Sequence, residues 1–390
     1  MMNRVILFIM DSVGIGALPD AEQFGDLGAN TLGNIALQEN GIDLPNLQKL
    51  GLGNIDGIVG IEPVESPLGA FGKSLEVSNG KDTTTGHWEI AGIHLKEPFK
   101  TFPNGFPEDV INEIERKIGR KTLGNKAASG TVILDELGEE HMRTGSPIIY
   151  TSADSVLQIA AHEEVISLDE LYKICGIARE IMMGDNAVAR IIARPFIGSV
   201  GNFSRTPNRR DFSLDPSGDT VLDIAKREGF DVIAVGKIED IFNGRGITEA
   251  VHTVDNMDGI NKTIEYIEKQ NKGIIFTNLV DFDSMYGHRR DPKGYKRALE
   301  DLDKRIPEIL ESMRDDDIII FTADHGNDPT YKGSDHTREY IPLVIYGKKV
   351  KANTNIGIRK SFADIAATIS DILEIPSTNK GESFKNSIIK

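Results

Sequence analysis

The chain has 390 residues, more than one hydrophobic core usually organises, so two domains are expected. Its 60 acidic against 44 basic residues leave a net charge of −16, which argues against nucleic acid as a partner because a phosphate backbone needs a basic face. A single cysteine, Cys175, excludes an intrachain disulfide.

The first predicted element is the apolar run from Val5 to Met10, preceded only by Arg4 and ended by Asp11. It is too short to span a bilayer and no small-residue cleavage site follows it, so it reads as a buried strand. With no export signal visible, a cytoplasmic protein without membrane contact is expected. No feature points to a protein partner.

Further along, Gly80-Lys81-Asp82-Thr83-Thr84-Thr85-Gly86-His87-Trp88-Glu89 is a turn running into a helix start. Asp82 and Thr83 are both suitable helix N-caps. A helix N-terminus also favours the charge of a phosphoryl group, so any of the three threonines can be read as a nucleophilic hydroxyl.

Pro107 and Glu108 open a helix with Val110, Ile111, Ile114 and Ile118 on one face, and Ile148–Tyr150 reads as a strand. Ser167 and Glu170 form a capping box for a helix carrying Leu171, Ile174, Cys175, Ala178 and Ile181. A strand over Val188–Ala193 follows, then a loop rich in arginine: Arg205, Arg209 and Arg210. The runs Val232–Val235, Ile274–Phe276, Ile318–Phe321 and Leu343–Tyr346 are apolar without alternation, the pattern of strands covered on both faces of a parallel α/β sheet. Residues 362–374 carry Ile365, Ile369, Ile372 and Leu373 on one helical stripe, and Pro376 stops it. The middle block therefore reads as an insertion. The expected organisation is a catalytic core of residues 1–98 and 219–390 with a smaller α/β domain over 99–218.

Carboxylates and imidazoles fall just beyond these strands. Asp11 follows the first; Asp283 and His288 follow the one at 274–276; Asp324 and His325 follow the one at 318–321; His336 shortly precedes the one at 343–346. In an open α/β sheet, ligand sites form beyond the carboxyl ends of the strands. A lone Asp at such a place is ordinarily a helix cap and a lone His a hydrogen-bonded loop residue. Three of each after buried strands in one chain are enough for two divalent ions with three protein ligands each, leaving positions for substrate. Mixed Asp/His sets accept Mn, Zn or Co.

The segments Asp11–Gly16, Gly80–Glu89, Asp281–Asp291, Ala323–Asp328, Tyr150–Val156 and Arg205–Arg209 together resemble the phosphopentomutases of the alkaline phosphatase superfamily, over essentially the whole chain. The resemblance implies a three-layer alkaline phosphatase-like α/β core with the smaller inserted α/β domain acting as a cap. It implies an isomerase that interconverts the 1- and 5-phosphates of ribose or deoxyribose through a phosphothreonine and a pentose 1,5-bisphosphate. By the same mapping Thr83 is the nucleophile, Asp11, Asp324, His325 and Thr83 hold one ion, and Asp283, His288 and His336 hold the other. The ions would be Mn²⁺ and the activator a sugar bisphosphate such as glucose 1,6-bisphosphate. Ser152, Asp154, Arg190, Arg205 and Lys237 would face the sugar phosphate, since guanidinium groups bind phosphate oxygens in pairs. Thr84 departs from the pattern, standing where a larger apolar residue such as Met is expected. The rival readings on this scaffold are a two-metal phosphatase and a cofactor-independent phosphoglycerate mutase-like enzyme; a sulfatase would need a modifiable Cys or Ser, which Asp82-Thr83-Thr84 does not offer.

Overall fold

The computed structural model describes residues 2–152 and 154–390, so Ala153 of the Tyr150–Val156 segment lies outside the described residues. Two compact units emerge, one formed by residues 1–98 and 216–390 and one by Phe99–Asp215. The second boundary falls three residues before the expected one. Residues 216–218 stay with the larger unit, where the carbonyl of Pro216 accepts from Nη1 of Arg245 at 2.8 Å.

The chain opens with strands β1 (Arg4–Met10) and β2 (Ala70–Ser74) of the larger unit. The smaller unit supplies β3 (Leu123–Ala127), β4 (Ile148–Thr151), β5 (Val156–His162), β6 (Arg190–Ser199), β7 (Asn202–Arg205) and β8 (Arg210–Ser213). The chain then returns to the larger unit with β9 (Asp231–Val235), β10 (Glu249–Val251), β11 (Gly273–Leu279), β12 (Asp317–Thr322), β13 (Ile341–Tyr346) and β14 (Thr354–Arg359).

The larger unit is a three-layer α/β core around one sheet in the order β10-β9-β11-β1-β12-β13-β2-β14. Every residue of β1, β11 and β12 is buried, which is why their sequences are apolar without alternation. Helices Asn256–Glu268 and Pro292–Ser312 pack together on one side with Thr31–Gln38 and Pro45–Leu50, while Ala363–Leu373, Val221–Arg227, Thr83–Ile90 and Ile238–Ile241 form the other layer. Arg4, at the start of β1, makes a buried pair with its register partner Asp317 on β12 at 2.5 Å and thereby pins that register.

Strands β1, β9, β11 and β12 run parallel. Strand β13 is antiparallel to β12, which an apolar run cannot reveal. Its start, not its end, therefore lies at the carboxyl edge of β1, β11 and β12, and His336, just before it, arrives at that edge. Strand β2 reverses again, being antiparallel to β13, so the segment after Ser74 leaves at the same edge.

The smaller unit is a six-stranded mixed sheet. Ile149, Leu157, Ile159, Ala161, Ile191 and Ala193 face a core built with helices Glu108–Ile118 and Leu168–Ile181. Ile148, Tyr150, Ala160 and Phe196 face the helix Gly130–Thr144, as the two-residue period of a strand requires. Only half of the expected capping box forms: Ser167 Oγ accepts from Glu170 N–H, but the Glu170 carboxylate is taken by Arg120 at 2.8 Å. Strand β6 runs past the predicted end at Ala193 and through Pro195. Its neighbour there changes from β8, which pairs with Arg190–Ala193, to β7, which pairs from Phe196 on, so the missing proline N–H interrupts neither ladder. Among the described residues no helix is long and apolar enough to cross a membrane.

Candidate metal centre and nucleophile loop

Asp11 directly follows β1, Asp324 and His325 lie two and three residues past β12, and all are 0–1% exposed. His325 Nε2 lies 3.3 Å from both Asp11 Oδ1 and Asp324 Oδ2. Asp324 Oδ1 accepts from the N–H of Ser12 at 3.0 Å, and Asp11 Oδ2 accepts from Nδ2 of Asn278 at 3.0 Å. The two oxygens that turn to His325, Asp11 Oδ1 and Asp324 Oδ2, are buried and accept no well-aligned hydrogen bond, their close neighbours being the imidazole nitrogens of His325 and, for Asp324, His87. Leaving such oxygens without one is costly, and a divalent cation is the partner their geometry suits.

A second cluster adjoins the first. Asp283 lies in the π-helical turn Phe282–Gly287, a rare helix form frequent at functional sites. Its carboxylate oxygens lie 3.2 Å from His288 Nε2 and 3.4 Å from His336 Nε2, and the two imidazole nitrogens are 3.0 Å apart. Nδ1 of His288 is directed at the carbonyl of Ser334 and Nδ1 of His325 at that of Gly326, which leaves each Nε2 as a ligand nitrogen. His325 is shared: ligand atoms of Asp11, Asp324 and His325 lie within 4.8 Å of one another, and so do those of Asp283, His325 and His336. This donor set, three carboxylates and three imidazoles with two oxygens that accept no well-aligned hydrogen bond, fits two divalent ions.

Electrostatics point the same way. Burial and the neighbouring Asp324 charge hold the Asp11 carboxyl above the ordinary range. Burial is outweighed at Asp324 by His325 and His87, and at Asp283 by His336 and His288, so both carboxyls lie below it, Asp283 far below. Burial is likewise outweighed at His325 by Asp324 and Asp11, which hold the imidazole well above its usual range. A proton on the His325 imidazole thus offsets the buried carboxylates, and a bound cation would displace it.

The helix Thr83–Ile90 begins between these groups. Asp82 is its N-cap, accepting from the N–H groups of Thr84 and Thr85. The Thr85 hydroxyl is turned back to Asp82 Oδ2 at 2.5 Å. The Thr83 hydroxyl faces the other way, 3.1 Å from His325 Nε2. Thr84 is buried, so the smaller side chain at this position packs within the larger unit. Arg338, 2% exposed, holds the preceding turn by donating to the carbonyls of Glu76, Ser78 and Gly80 and pairing with Glu76 at 2.7 Å.

Residues without a role in the sequence reading complete the shell. His87, one turn after Thr83, sets Nδ1 2.9 Å from the Thr83 carbonyl and 3.0 Å from Asp324 Oδ2, and its Nε2 meets Asn278 Nδ2 at 3.0 Å. Asn278 stands out in hindsight as a polar side chain in a fully buried strand; the i, i+4 spacing of Thr83 and His87 was the other available signal.

The substrate-facing candidates divide between the units. Lys237 follows β9 in the larger unit and is N-cap of the helix Ile238–Ile241, at the carboxyl edge. In the smaller unit Ser152 and Asp154 lie between β4 and β5, at the end where Arg190 opens β6 opposite Val156. Arg190 pairs with Asp211 at 3.3 Å, and Arg205 Nη2 donates to the Tyr150 hydroxyl at 3.0 Å.

The family model described as the Metalloenzyme superfamily matches residues 3–377. The chain is 75% identical over 390 residues to a phosphopentomutase of Alkaliphilus metalliredigens, covering 100% of both chains. It is 62% identical over 389 residues to a phosphopentomutase of Clostridioides difficile, covering 99% of this chain and 100% of the relative. The solved PH0037 protein from Pyrococcus horikoshii shares the fold at 14% identity and a TM-score of 0.50, over 96% of this chain and 97% of that one. The chain therefore belongs to the phosphopentomutases, a family of isomerases within the metalloenzyme superfamily.

Proposed function

We propose that this chain interconverts the 1- and 5-phosphates of ribose or deoxyribose, with Thr83 carrying the phosphoryl group between turnovers. The observation that carries the reading is the Thr83 hydroxyl, 3.1 Å from His325 Nε2 at the N-terminus of a buried helix, beside the buried carboxylates of Asp11 and Asp324.

Two divalent ions, Mn²⁺ in this reading, would be held by Asp11, Asp324 and His325 with Thr83 and by Asp283, His288 and His336, and would neutralise phosphoryl charge. The remaining work falls to the chain. The N-terminal end of the Thr83 helix favours the charge of a phosphoryl group on that hydroxyl. Phosphothreonine gives its phosphoryl group to the free hydroxyl of a pentose phosphate: the Oγ1–P bond of Thr83 breaks and a sugar O–P bond forms. The proton released by the sugar hydroxyl balances the one Thr83 Oγ1 requires. The resulting pentose 1,5-bisphosphate returns its other phosphate to Thr83 by the reverse step. Arg190, Arg205 and Lys237 are proposed to hold the phosphate that is not reacting, and Ser152 and Asp154 the sugar, so that positioning supplies much of the rate. A sugar bisphosphate such as glucose 1,6-bisphosphate would load Thr83 at the start.

The test is conversion of ribose 1-phosphate to ribose 5-phosphate by metal-depleted protein before and after Mn²⁺ is restored. Interconversion that needs the metal supports the reading; release of inorganic phosphate without interconversion replaces it with the two-metal phosphatase.

A further inference from the structure

We propose that Arg290 is the positioning residue that assembles the second ion's ligands from separate loops, so that this ion alone depends on it. The proposal rests on the two-ion reading above. Of the first ion's residues, Asp11 directly follows β1 and Asp324 and His325 follow β12 by two and three residues, close to strand ends that are paired with each other. Asp283, His288 and His336 have no such frame. Asp283 lies in a π-helical turn, His288 just beyond it, and His336 after the turns and bends of residues 329–335.

One guanidinium joins these pieces. Arg290 Nε donates to the Gly333 carbonyl at 2.6 Å and Nη2 to the Asp335 carbonyl at 3.1 Å. Nη1 donates to the Asp328 carbonyl at 2.7 Å, to Asn327 Oδ1 at 2.8 Å and to the Gly287 carbonyl at 3.3 Å. Its acceptors thus come from the π-helical turn, from the segment after β12 and from the loop leading to His336. A planar fork satisfies acceptors in several directions at once, whereas an ammonium is a point charge.

Two of these contacts lead directly to ligands. With Oδ1 of Asn327 held by Arg290, its Nδ2 is left to donate to Asp283 Oδ1, at 2.7 Å. The fixed carbonyls of Gly333 and Asp335 bracket Ser334, whose own carbonyl meets His288 Nδ1 at 2.9 Å and so turns Nε2 toward Asp283 and His336. Arg290 also has φ +55°, in the left-handed region that side-chain-bearing residues rarely adopt.

Metal-free wild type, Arg290→Lys and Asn327→Ser are titrated with Mn²⁺, free Mn²⁺ being read by electron paramagnetic resonance. His288→Ala and Asp324→Ala identify which class of site belongs to which ion. In Arg290→Lys the class missing from His288→Ala is expected to weaken about 10- to 100-fold, as for other residues that orient metal ligands, while the class missing from Asp324→Ala is unchanged. Asn327→Ser, which keeps the backbone staples and removes the link to Asp283, is expected to weaken the same class and serves if Arg290→Lys does not fold. Equal weakening of both classes, or two unchanged classes in either variant, overturns the proposal. A wild type that binds fewer than two ions overturns the two-ion reading itself, and the role of Arg290 with it.

Discussion

His325 Nε2 lies 3.1 Å from the Thr83 hydroxyl and 3.3 Å from the nearest carboxylate oxygens of Asp11 and Asp324, so one imidazole touches the proposed nucleophile and both carboxylates of the first ion. The same residue belongs to the group formed with Asp283 and His336. His325→Ala is therefore expected to weaken both ions, whereas Asp324→Ala and His288→Ala each release one. All three should lower turnover by about a thousandfold or more, a barrier increase of about 4 kcal/mol. Elemental analysis after desalting counts the ions; two ions retained by His325→Ala contradicts the shared position.

Acid should unsettle the smaller unit through His141. Its Nδ1 meets the Ser146 carbonyl at 2.8 Å and its Nε2 accepts the His162 N–H at 2.8 Å, so both ring nitrogens are used by the neutral form. Burial, against the Ser146 bond, pushes the imidazole below its ordinary 6.5. The unfolded chain thus takes up a proton that the folded chain refuses. The His141 contribution is complete above the unfolded value and is lost as pH falls below it. His141→Gln should flatten this slope, so the urea stability lost on substitution is largest near about pH 7 and shrinks toward about pH 5. A difference that does not change with pH would rule His141 out as the sensor.

Much of this arrangement is legible in the sequence alone. Uninterrupted apolar runs marked β1, β9, β11, β12 and β13 because burial on both faces leaves no room for alternation. Strand β2, Ala70–Ser74, gave no such signal, since it carries Gly72 and Lys73. The reversal of β13 was invisible because an apolar run reads the same in either direction, yet it is what brings His336 to the other ligands. Thr83 and Thr85 could not be separated by residue type; the helix phase set by Asp82 separates them, turning one hydroxyl inward and consuming the other. His87, Asn278, Asn327 and Arg290 were missed for a common reason. Each acts through hydrogen bonds whose partners are chosen by the fold.

Arg205→Ala is the variant expected to separate transfer from hydrolysis. If transfer outruns hydrolysis by about a thousandfold, the two barriers differ by about 4 kcal/mol, and positioning of the sugar phosphate is one source of the difference. Arg205→Ala is expected to cut pentose phosphate isomerisation at least about tenfold more than it changes phosphate loss from phospho-Thr83. Both rates are measured on one enzyme preparation. Equal loss of the two, or unaffected isomerisation, removes Arg205 from the proposed phosphate-holding set.

Thr83 is expected to carry the phosphoryl group, and mapping phosphate on the chain shows whether it does. Metal-loaded protein is incubated with glucose 1,6-bisphosphate, digested, and read by tandem mass spectrometry, alongside Thr83→Ala assayed for isomerisation. The expected result is phosphate on Thr83 with Thr84 and Thr85 unmodified, and no isomerisation by Thr83→Ala. Phosphate on Thr84 or Thr85, or an active Thr83→Ala, would contradict it.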